Sequence, residues 1–164
     1  MTATQILAEF VAKTHLSDIP SDVIERGGLI LADSIGCIAA GSMVSEMRGL
    51  VALQPAPGAS KPTATALGTG LRLASADAAF VNGAAGTWHD LDEGNLSTRT
   101  HAGIQIVPAI VAECEARRLS GAALLEALIL AYEASARIWR ATQSRLAVHP
   151  CIDLLATGGG RGAH

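Results

Sequence analysis

The sequence predicts an all-α fold, a helical bundle, and two observations favour it. Apolar residues make up 49% of the chain and aromatic residues only 3%, so the core has to be built from alanine, leucine, isoleucine and valine. Small aliphatic side chains favour close helix packing over a sandwich or a barrel. Apolar residues also recur at three- and four-residue intervals along most of the chain, which is the period of a helix with one buried face.

The first two helices are predicted from capping and periodicity. Thr2 is followed three residues later by Gln5, which is the pattern of a capping box at a helix N-terminus. A second helix is predicted from about Pro20 to Ala40, and it is apolar around most of its circumference, so we expect it to be central. Gly41 is expected to end this helix.

The middle of the chain is predicted to be less regular. A shorter helix is expected over 43–54, followed by a proline-rich loop and, in "TATALGTG", a short extended piece before Gly68 and Gly70. A buried helix is expected from Ser75, with Gly83 and Gly86 weakening it near its end.

Two further helices are predicted in the second half. Pro108 suits the first turn of a helix over about 107–117. Ser120 is a suitable N-cap for the next helix, over about 121–140.

Charge and hydropathy exclude several functional classes. The net charge of −3 offers no basic patch, so we expect no nucleic-acid partner. The mean hydropathy of +0.34 is high. However, Asp33, Glu126 and Glu133 interrupt the longest apolar runs, so we expect no membrane span. The N-terminus also lacks the pattern of a secretory signal.

The three cysteines are scattered and show no paired spacing. We therefore expect neither a disulfide framework nor a zinc-thiolate site, and Cys37 and Cys114 are interpreted as small core residues. This cysteine usage fits a cytoplasmic location. The third cysteine is Cys151.

One polar stretch, "GTWHDLDEGNLSTRTHAG" over 86–103, lies between two apolar helices, where loops commonly carry function. It can be a solvated loop, a metal site or an acid–base centre, and the spacing alone leaves all three open. A histidine near a carboxylate can transfer a proton near neutral pH. The polar residues concerned are His89, Asp90, Asp92, Glu93, Asn95 and His101.

The metal alternative would use His89, Asp90, Asp92 and His101 as ligands for zinc, manganese or iron. The "HD" pair invites comparison with the all-helical metal-dependent phosphohydrolases. Those enzymes need further ligands on other helices, and upstream of this stretch the only histidine is His15.

His149, in the dipeptide "HP", raises the same question near the end of the chain. A single histidine at a chain turn is more often structural or exposed. If it returns to the same pocket as the other two, it would be a third catalytic imidazole.

Five segments together resemble the MmgE/PrpD family in order and spacing, over about residues 5–150. They are "LILADSIGCIAAG", "AAFVNGAAGTWHDLDEGN", "THAGIQIVPAIVAECE", "LSGAALLEALILAYEASARI" and "HP". The resemblance implies part of a large all-α domain, which in that family accompanies a smaller α+β domain, usually in a homodimer. It implies a lyase or isomerase, similar to 2-methylcitrate dehydratase, that acts without metal or other cofactor on a small di- or tricarboxylate.

The site residues are carried over from this resemblance by position. Asp92, His101 and His149 match catalytic positions. His89, Asn95 and Thr100 are assigned to substrate binding. The sequence departs from the family motif at Glu93-Gly94-Asn95, where an aromatic residue and two aspartates are usual, and at Ala102, where proline is usual.

Two further departures concern the end of the chain. The family also uses a lysine and a tyrosine beyond the later histidine, whereas this sequence has only Lys13, Lys61 and Tyr132. Residues 1–150 are therefore interpreted as a partial family domain and 151–164 as an atypical glycine-rich tail of a truncated or frame-shifted product. We expect weak or no activity from the isolated chain. The alternative is a non-catalytic, self-associating helical module, and exposed apolar surface makes a homo-oligomer expected in either case.

Overall fold

The computed structural model describes residues 1–58 and 63–146, the last four of these by their backbone only. Helices dominate the described part, which confirms the predicted all-α class, and a small antiparallel hairpin is added to them. In chain order the elements are α1 (Ala3–Lys13), a 3-10 turn (Leu16–Asp18), α2 (Ser21–Ser42), α3 (Ser45–Ala52), β1 (Thr63–Ala66), β2 (Leu71–Ala74), α4 (Ser75–Thr87), α5 (Ala102–Arg117) and α6 (Gly121–Leu146).

The capping box predicted at the N-terminus of α1 is confirmed. The backbone N–H of Gln5 donates to the Thr2 hydroxyl at 3.2 Å, and the backbone N–H of Thr2 donates to the Gln5 side chain at 2.8 Å. Two N–H groups that the first turn would otherwise leave free are therefore satisfied. The predicted N-cap of α6 is also present, because Ser120 Oγ accepts from the N–H of Ala123 at 3.2 Å.

The prediction that Gly41 ends α2 is wrong. The helix continues through it to Ser42, and Gly41 is buried. A Cβ at this position would lie 1.9 Å from the backbone oxygen of Ala85 in α4. The glycine is therefore required by the close approach of two helices and not by a left-handed cap, and a local pattern cannot distinguish the two.

The extended piece predicted before Gly68 and Gly70 is a strand that leads into a turn. β1 covers its first four residues and pairs with β2, with Thr63 opposite Ala74 and Ala66 opposite Leu71. The turn between the strands has positive φ angles of 76° at Gly68 and 72° at Gly70, a conformation that favours glycine.

One buried amide of α4 attaches the hairpin to the helices. Asn82 is 1% exposed; its Oδ1 accepts from the N–H of Leu67 at 2.9 Å and its Nδ2 donates to the carbonyl of Thr65 at 3.0 Å. From α5, the Glu115 carboxylate accepts from the backbone N–H and the hydroxyl of Thr65 at 2.7 and 2.6 Å. The hairpin is thus joined to two helices by polar side chains.

The helix α5 begins earlier than predicted. It starts at Ala102, so Pro108 lies inside the helix instead of in its first turn. Proline cannot donate a hydrogen bond to the carbonyl four residues before it, that of Ile104, so the helix forgoes one bond there. The extra N-terminal turn is stabilised from outside the segment, by Glu93, whose carboxylate accepts from the N–H of Gly103.

The helix α4 lies between α2 and α5 and makes extensive contacts with both, and it also packs on the hairpin. The predicted central helix α2 packs against α4, α5 and α6, but Leu29 and Ile35 on it are exposed. One core cluster joins α2, α4 and α5 to α3, and the other joins α3, α4 and α5 to the hairpin. Their buried members are Ile38, Met47, Ala85 and Ile104 in the first, and Val51, Ala64, Ala66, Leu73, Ala78, Val81 and Ala112 in the second.

Within residues 1–58 and 63–146, no helix taken alone has the length and apolarity needed to cross a membrane. Only α2 and α3 taken together pass that test, and they meet at a bend of 89°. The predicted division at residue 150 falls outside the described residues.

Candidate active site

The polar stretch predicted to carry function forms a loop of residues 88–101 between α4 and α5, called the site loop below. Its second half is a tight turn closed by the N–H of Asn95, which donates to the carbonyl of Thr100 at 2.8 Å. Inside this turn the side-chain oxygen Oδ1 of Asn95 accepts from the N–H groups of Ser97 and Thr98 at 3.0 and 3.2 Å. The turn returns the chain to the start of α5 and so brings Asp92 and His101 together.

Asp92 and His101 form a hydrogen-bonded pair. The Nδ1 atom of His101 lies 2.9 Å from Oδ2 of Asp92. The Asp92 side chain is 3% exposed, whereas that of His101 is 49% exposed. A carboxylate can only accept, so this bond places the imidazole proton on Nδ1 and leaves Nε2 free to receive or release a proton at the solvent side.

This arrangement is the acid–base geometry in which a buried carboxylate orients an accessible imidazole. It brings together two of the three residues predicted to be catalytic. His149 lies outside the described residues, and its position relative to this pair stays a prediction.

The residues predicted to bind substrate behave differently. Asn95 and Thr100 are half-buried in the site loop, and the hydroxyl of Thr100 lies 2.7 Å from that of Thr98. His89 is exposed and makes no hydrogen bond within the described part of the chain. The structure therefore assigns the first two a role in shaping the turn, and substrate binding by all three stays a prediction.

The four ligands of the metal alternative do not converge. His89 and Asp90 are exposed in the turn after α4, where Asp90 has a positive φ of 53°. Among residues 1–58 and 63–146, no three histidine, cysteine, aspartate or glutamate side chains are grouped closely enough to hold a metal ion. His89, Asp90, Asp92 and His101 all lie within those ranges.

Glu93 is the residue at this site that the sequence prediction missed as a participant. One of its carboxylate oxygens accepts from the N–H of Gly103 at 2.5 Å, and the other accepts from the hydroxyl of Tyr132 at 3.1 Å. Its backbone N–H donates to the Asp33 carboxylate at 3.0 Å. The available signal was the departure from the family motif at this position.

A cavity of about 760 Å³ lies behind the site loop, between α2 and α6. Its polar lining includes Arg26, Asp33, Glu93 and Tyr132. Burial raises the pKa of the Tyr132 hydroxyl, and the negative charge of Glu93 raises it further, so the hydroxyl stays protonated at neutral pH and serves as the hydrogen-bond donor.

The thiol of Cys37 in α2 has a raised pKa. Burial raises the pKa of its thiol, and the charges of Asp33 and Asp92 add to that effect. The thiol form therefore predominates at neutral pH, as expected for a small packing residue.

Comparisons with known proteins identify the family of the chain. A sequence model of the MmgE/PrpD N-terminal domain matches residues 5–158. Cis-aconitate decarboxylase from Aspergillus terreus is 29% identical over 147 residues, and so is the same enzyme from strain NIH 2624 / FGSC A1156. Each alignment covers 84% of this chain and 29% of the relative, so the chain spans less than a third of the relatives' length. No solved structure matches significantly.

Proposed function

Because the chain belongs to the MmgE/PrpD family, we propose that it carries an acid–base pair of a lyase or isomerase that acts on a small di- or tricarboxylate. The observation that supports this most directly is the hydrogen bond between buried Asp92 and half-exposed His101. The two relatives named above act on cis-aconitate by their names. Cis-aconitate and 2-methylcitrate are therefore the substrates proposed for testing.

In the proposed chemistry, Nε2 of His101 transfers the proton and Asp92 orients the ring. In a decarboxylation, the bond to the departing CO₂ breaks and its electron pair is delocalised through the adjacent double bond. The imidazolium then protonates the carbon that bears the resulting negative charge. In a dehydration, the imidazole removes the proton next to a carboxylate while a second acid protonates the leaving hydroxyl. Asp92 holds the orientation of the ring in both cases.

A polycarboxylate also needs cationic groups that hold its charges. Arg140 of α6 brings a guanidinium to the site loop, where Nη2 donates to the Ser97 hydroxyl at 3.0 Å. Guanidinium groups pair with carboxylates through two parallel hydrogen bonds, so Arg140 is a suitable group for binding one substrate carboxylate.

The proposal is tested by binding and by turnover on the purified chain. The ring signals of His101, identified by their loss in His101→Gln, are followed by NMR while cis-aconitate or 2-methylcitrate is added. We expect both compounds to shift these signals in the wild type, with a smaller response in Arg140→Gln. Deuterium incorporation or product formation in D₂O measures turnover, which is expected to be slow because the chain spans 29% of the relatives' length.

The control compound is an uncharged triester of the same carbon skeleton, which should leave the signals unchanged. If neither carboxylate shifts the His101 signals at millimolar concentration and no deuterium is incorporated, the proposed function is wrong.

A second candidate is a self-associating helical module without catalysis, and exposed apolar side chains favour it. Phe80 of α4 is 60% exposed and Leu96 in the site loop is 95% exposed. Apolar surface of this kind commonly marks an interface, so a homo-oligomer is proposed under either function. Light scattering tests it, and a monomer at micromolar to millimolar concentration would contradict self-association.

A further inference from the structure

We propose that Glu93 is a positioning residue that holds Asp92 and His101 in their hydrogen-bonded arrangement. This inference deepens the proposed function and rests on it, because it concerns the same pair. Glu93 joins the site loop to three helices, through its side chain to α5 and α6 and through its backbone N–H to α2.

Two hydrogen bonds link residues 92–93 of the site loop to the start of α5. Asp92 bonds to His101 at 2.9 Å, and the adjacent Glu93 accepts from the N–H of Gly103 at 2.5 Å. His101 occupies the N-cap position of α5, but its side chain makes no capping hydrogen bond. The Glu93 carboxylate therefore satisfies an N–H group that the first turn leaves free, and its negative charge suits that end of the helix.

Glu93 is itself held in place by residues of α6 and α2. Tyr132 of α6 donates its hydroxyl to the second carboxylate oxygen at 3.1 Å. The backbone N–H of Glu93 donates to the Asp33 carboxylate of α2 at 3.0 Å. The side chain is thus fixed from α5 and α6 and the backbone from α2, so the segment that carries Asp92 cannot move away from His101 without breaking these bonds.

The absence of a side chain at Gly103 leaves space for the Glu93 carboxylate at the start of α5. A Cβ on Gly103 would lie 2.8 Å from Glu93 Oε1 and 2.8 Å from Ile30 Cγ2. Real Cβ atoms essentially never show such contacts, so an alanine at 103 would displace the carboxylate or Ile30. A Cβ on Gly94, next to Glu93 in the chain, would meet nothing within 4 Å. Gly94 therefore offers a matched control.

The consequence for chemistry concerns the tautomer of His101. The bond to Asp92 selects the Nδ1–H form, whereas free neutral histidine prefers the Nε2–H form. If Glu93 holds the two segments in register, its removal releases this selection even though Asp92 and His101 are both unchanged. A residue that contributed only to stability would leave the tautomer of the folded protein as it is.

The test is the ring ¹⁵N spectrum of the histidine-labelled chain at a pH where the imidazole is neutral. In Glu93→Ala we expect the ratio of the Nδ1–H to the Nε2–H form at His101 to fall about tenfold, a size typical of losing one hydrogen bond to a charged group. Glu93→Gln keeps an acceptor for Gly103 and should retain most of the ratio. Tyr132→Phe and Gly103→Ala should give intermediate losses.

Two control variants should match the wild type. They are Gly94→Ala and Glu113→Gln, the latter removing an exposed ion pair with Arg117. Circular dichroism establishes that each variant is folded at the temperature of the measurement. If Glu93→Ala does not fold, Tyr132→Phe and Gly103→Ala carry the test, since each disturbs one contact of Glu93 without removing its carboxylate.

The outcomes separate the inference from the proposed function. If Asp92→Asn abolishes the Nδ1–H preference while Glu93→Ala, Tyr132→Phe and Gly103→Ala leave it at the wild-type value, the positioning role is wrong and the pair stands. If Asp92→Asn has no effect, the pair does not exist in solution and both proposals fall. If the tautomer responds as expected but no carboxylate binds, Glu93 keeps its role and the proposed function fails.

Discussion

The close contact between α2 and α4 allows a comparison of two glycines in one helix. In Gly41→Ala the new methyl group would lie 1.9 Å from the backbone oxygen of Ala85, where real Cβ atoms essentially never come closer than 3.0 Å. Because the obstacle is backbone, the helices have to separate by about 1 Å, which disturbs the core around Ile38. In Gly36→Ala the methyl group meets nothing within 4 Å.

The two substitutions should change the free energy of unfolding in opposite directions. Overpacking of this kind costs about 3 kcal/mol at the upper end of its usual range, and alanine recovers about 1 kcal/mol of helix propensity, so Gly41→Ala should lose about 2 kcal/mol. Gly36→Ala should raise the free energy of unfolding by about 1 kcal/mol, because it gains helix propensity without overpacking. The difference of about 3 kcal/mol corresponds to roughly 10 °C in Tm for a chain of this size.

Urea unfolding followed by circular dichroism measures both free energies, with equal slopes required for the comparison. Light scattering checks that the variants and the wild type have the same oligomeric state. If Gly41→Ala is as stable as the wild type or gains stability like Gly36→Ala, the helices do not approach as the structure describes, and the account of Gly41 is wrong.

Three further predictions follow from individual side chains. Asn82→Ala leaves the N–H of Leu67 and the carbonyl of Thr65 without their partner and should lower the free energy of unfolding by about 2–4 kcal/mol in urea titrations; a loss below 1 kcal/mol would contradict the buried bridge. Burial alone would raise the pKa of Glu115, but hydrogen bonds from Thr65 and the charge of Arg72 hold it below 4.5. The ionised Glu115 carboxylate therefore stabilises the fold above pH 4.5, and this stabilisation is lost as the pH falls through the lowered pKa of the folded state. In Glu115→Gln the free energy of unfolding should therefore fall less steeply as the pH is lowered. A pH dependence equal to that of the wild type would refute this. Asp92→Asn should reduce any turnover of cis-aconitate by at least about 100-fold while the fold is retained, as shown by circular dichroism, and full activity would exclude Asp92 from the chemistry.

The parts of the fold that were predictable depend on neighbouring residues. The capping box of Thr2 and Gln5 acts within one turn, so the sequence pattern was sufficient. Gly41 depends on Ala85, on another helix, and the start of α5 depends on a side chain of the preceding loop, Glu93, and both predictions were wrong. The hairpin was half predicted, since its strands are only four residues long and are held by Asn82.

The candidate site also has a part that the sequence predicts and a part that it does not. Asp92 and His101 could be singled out because the resemblance to a family covers their segment, and the structure then brings them to 2.9 Å. The sequence marks Glu93 only as one of the polar residues of this stretch and as a departure from the family motif. Its partners Tyr132 and Asp33 lie 39 and 60 residues away along the chain, and no local pattern connects them.

These separations also indicate an order of assembly. The bonds of Asn82 to the hairpin span 15 and 17 residues, so they close short loops at a small entropic cost. The bonds that fix Glu93 to α2 and α6 span 60 and 39 residues and require both helices to have docked. We therefore expect the hairpin and α4 to form an early folding unit and the site loop to acquire its order late. In native-state hydrogen exchange, the amide of Leu67 should outlast that of Glu93.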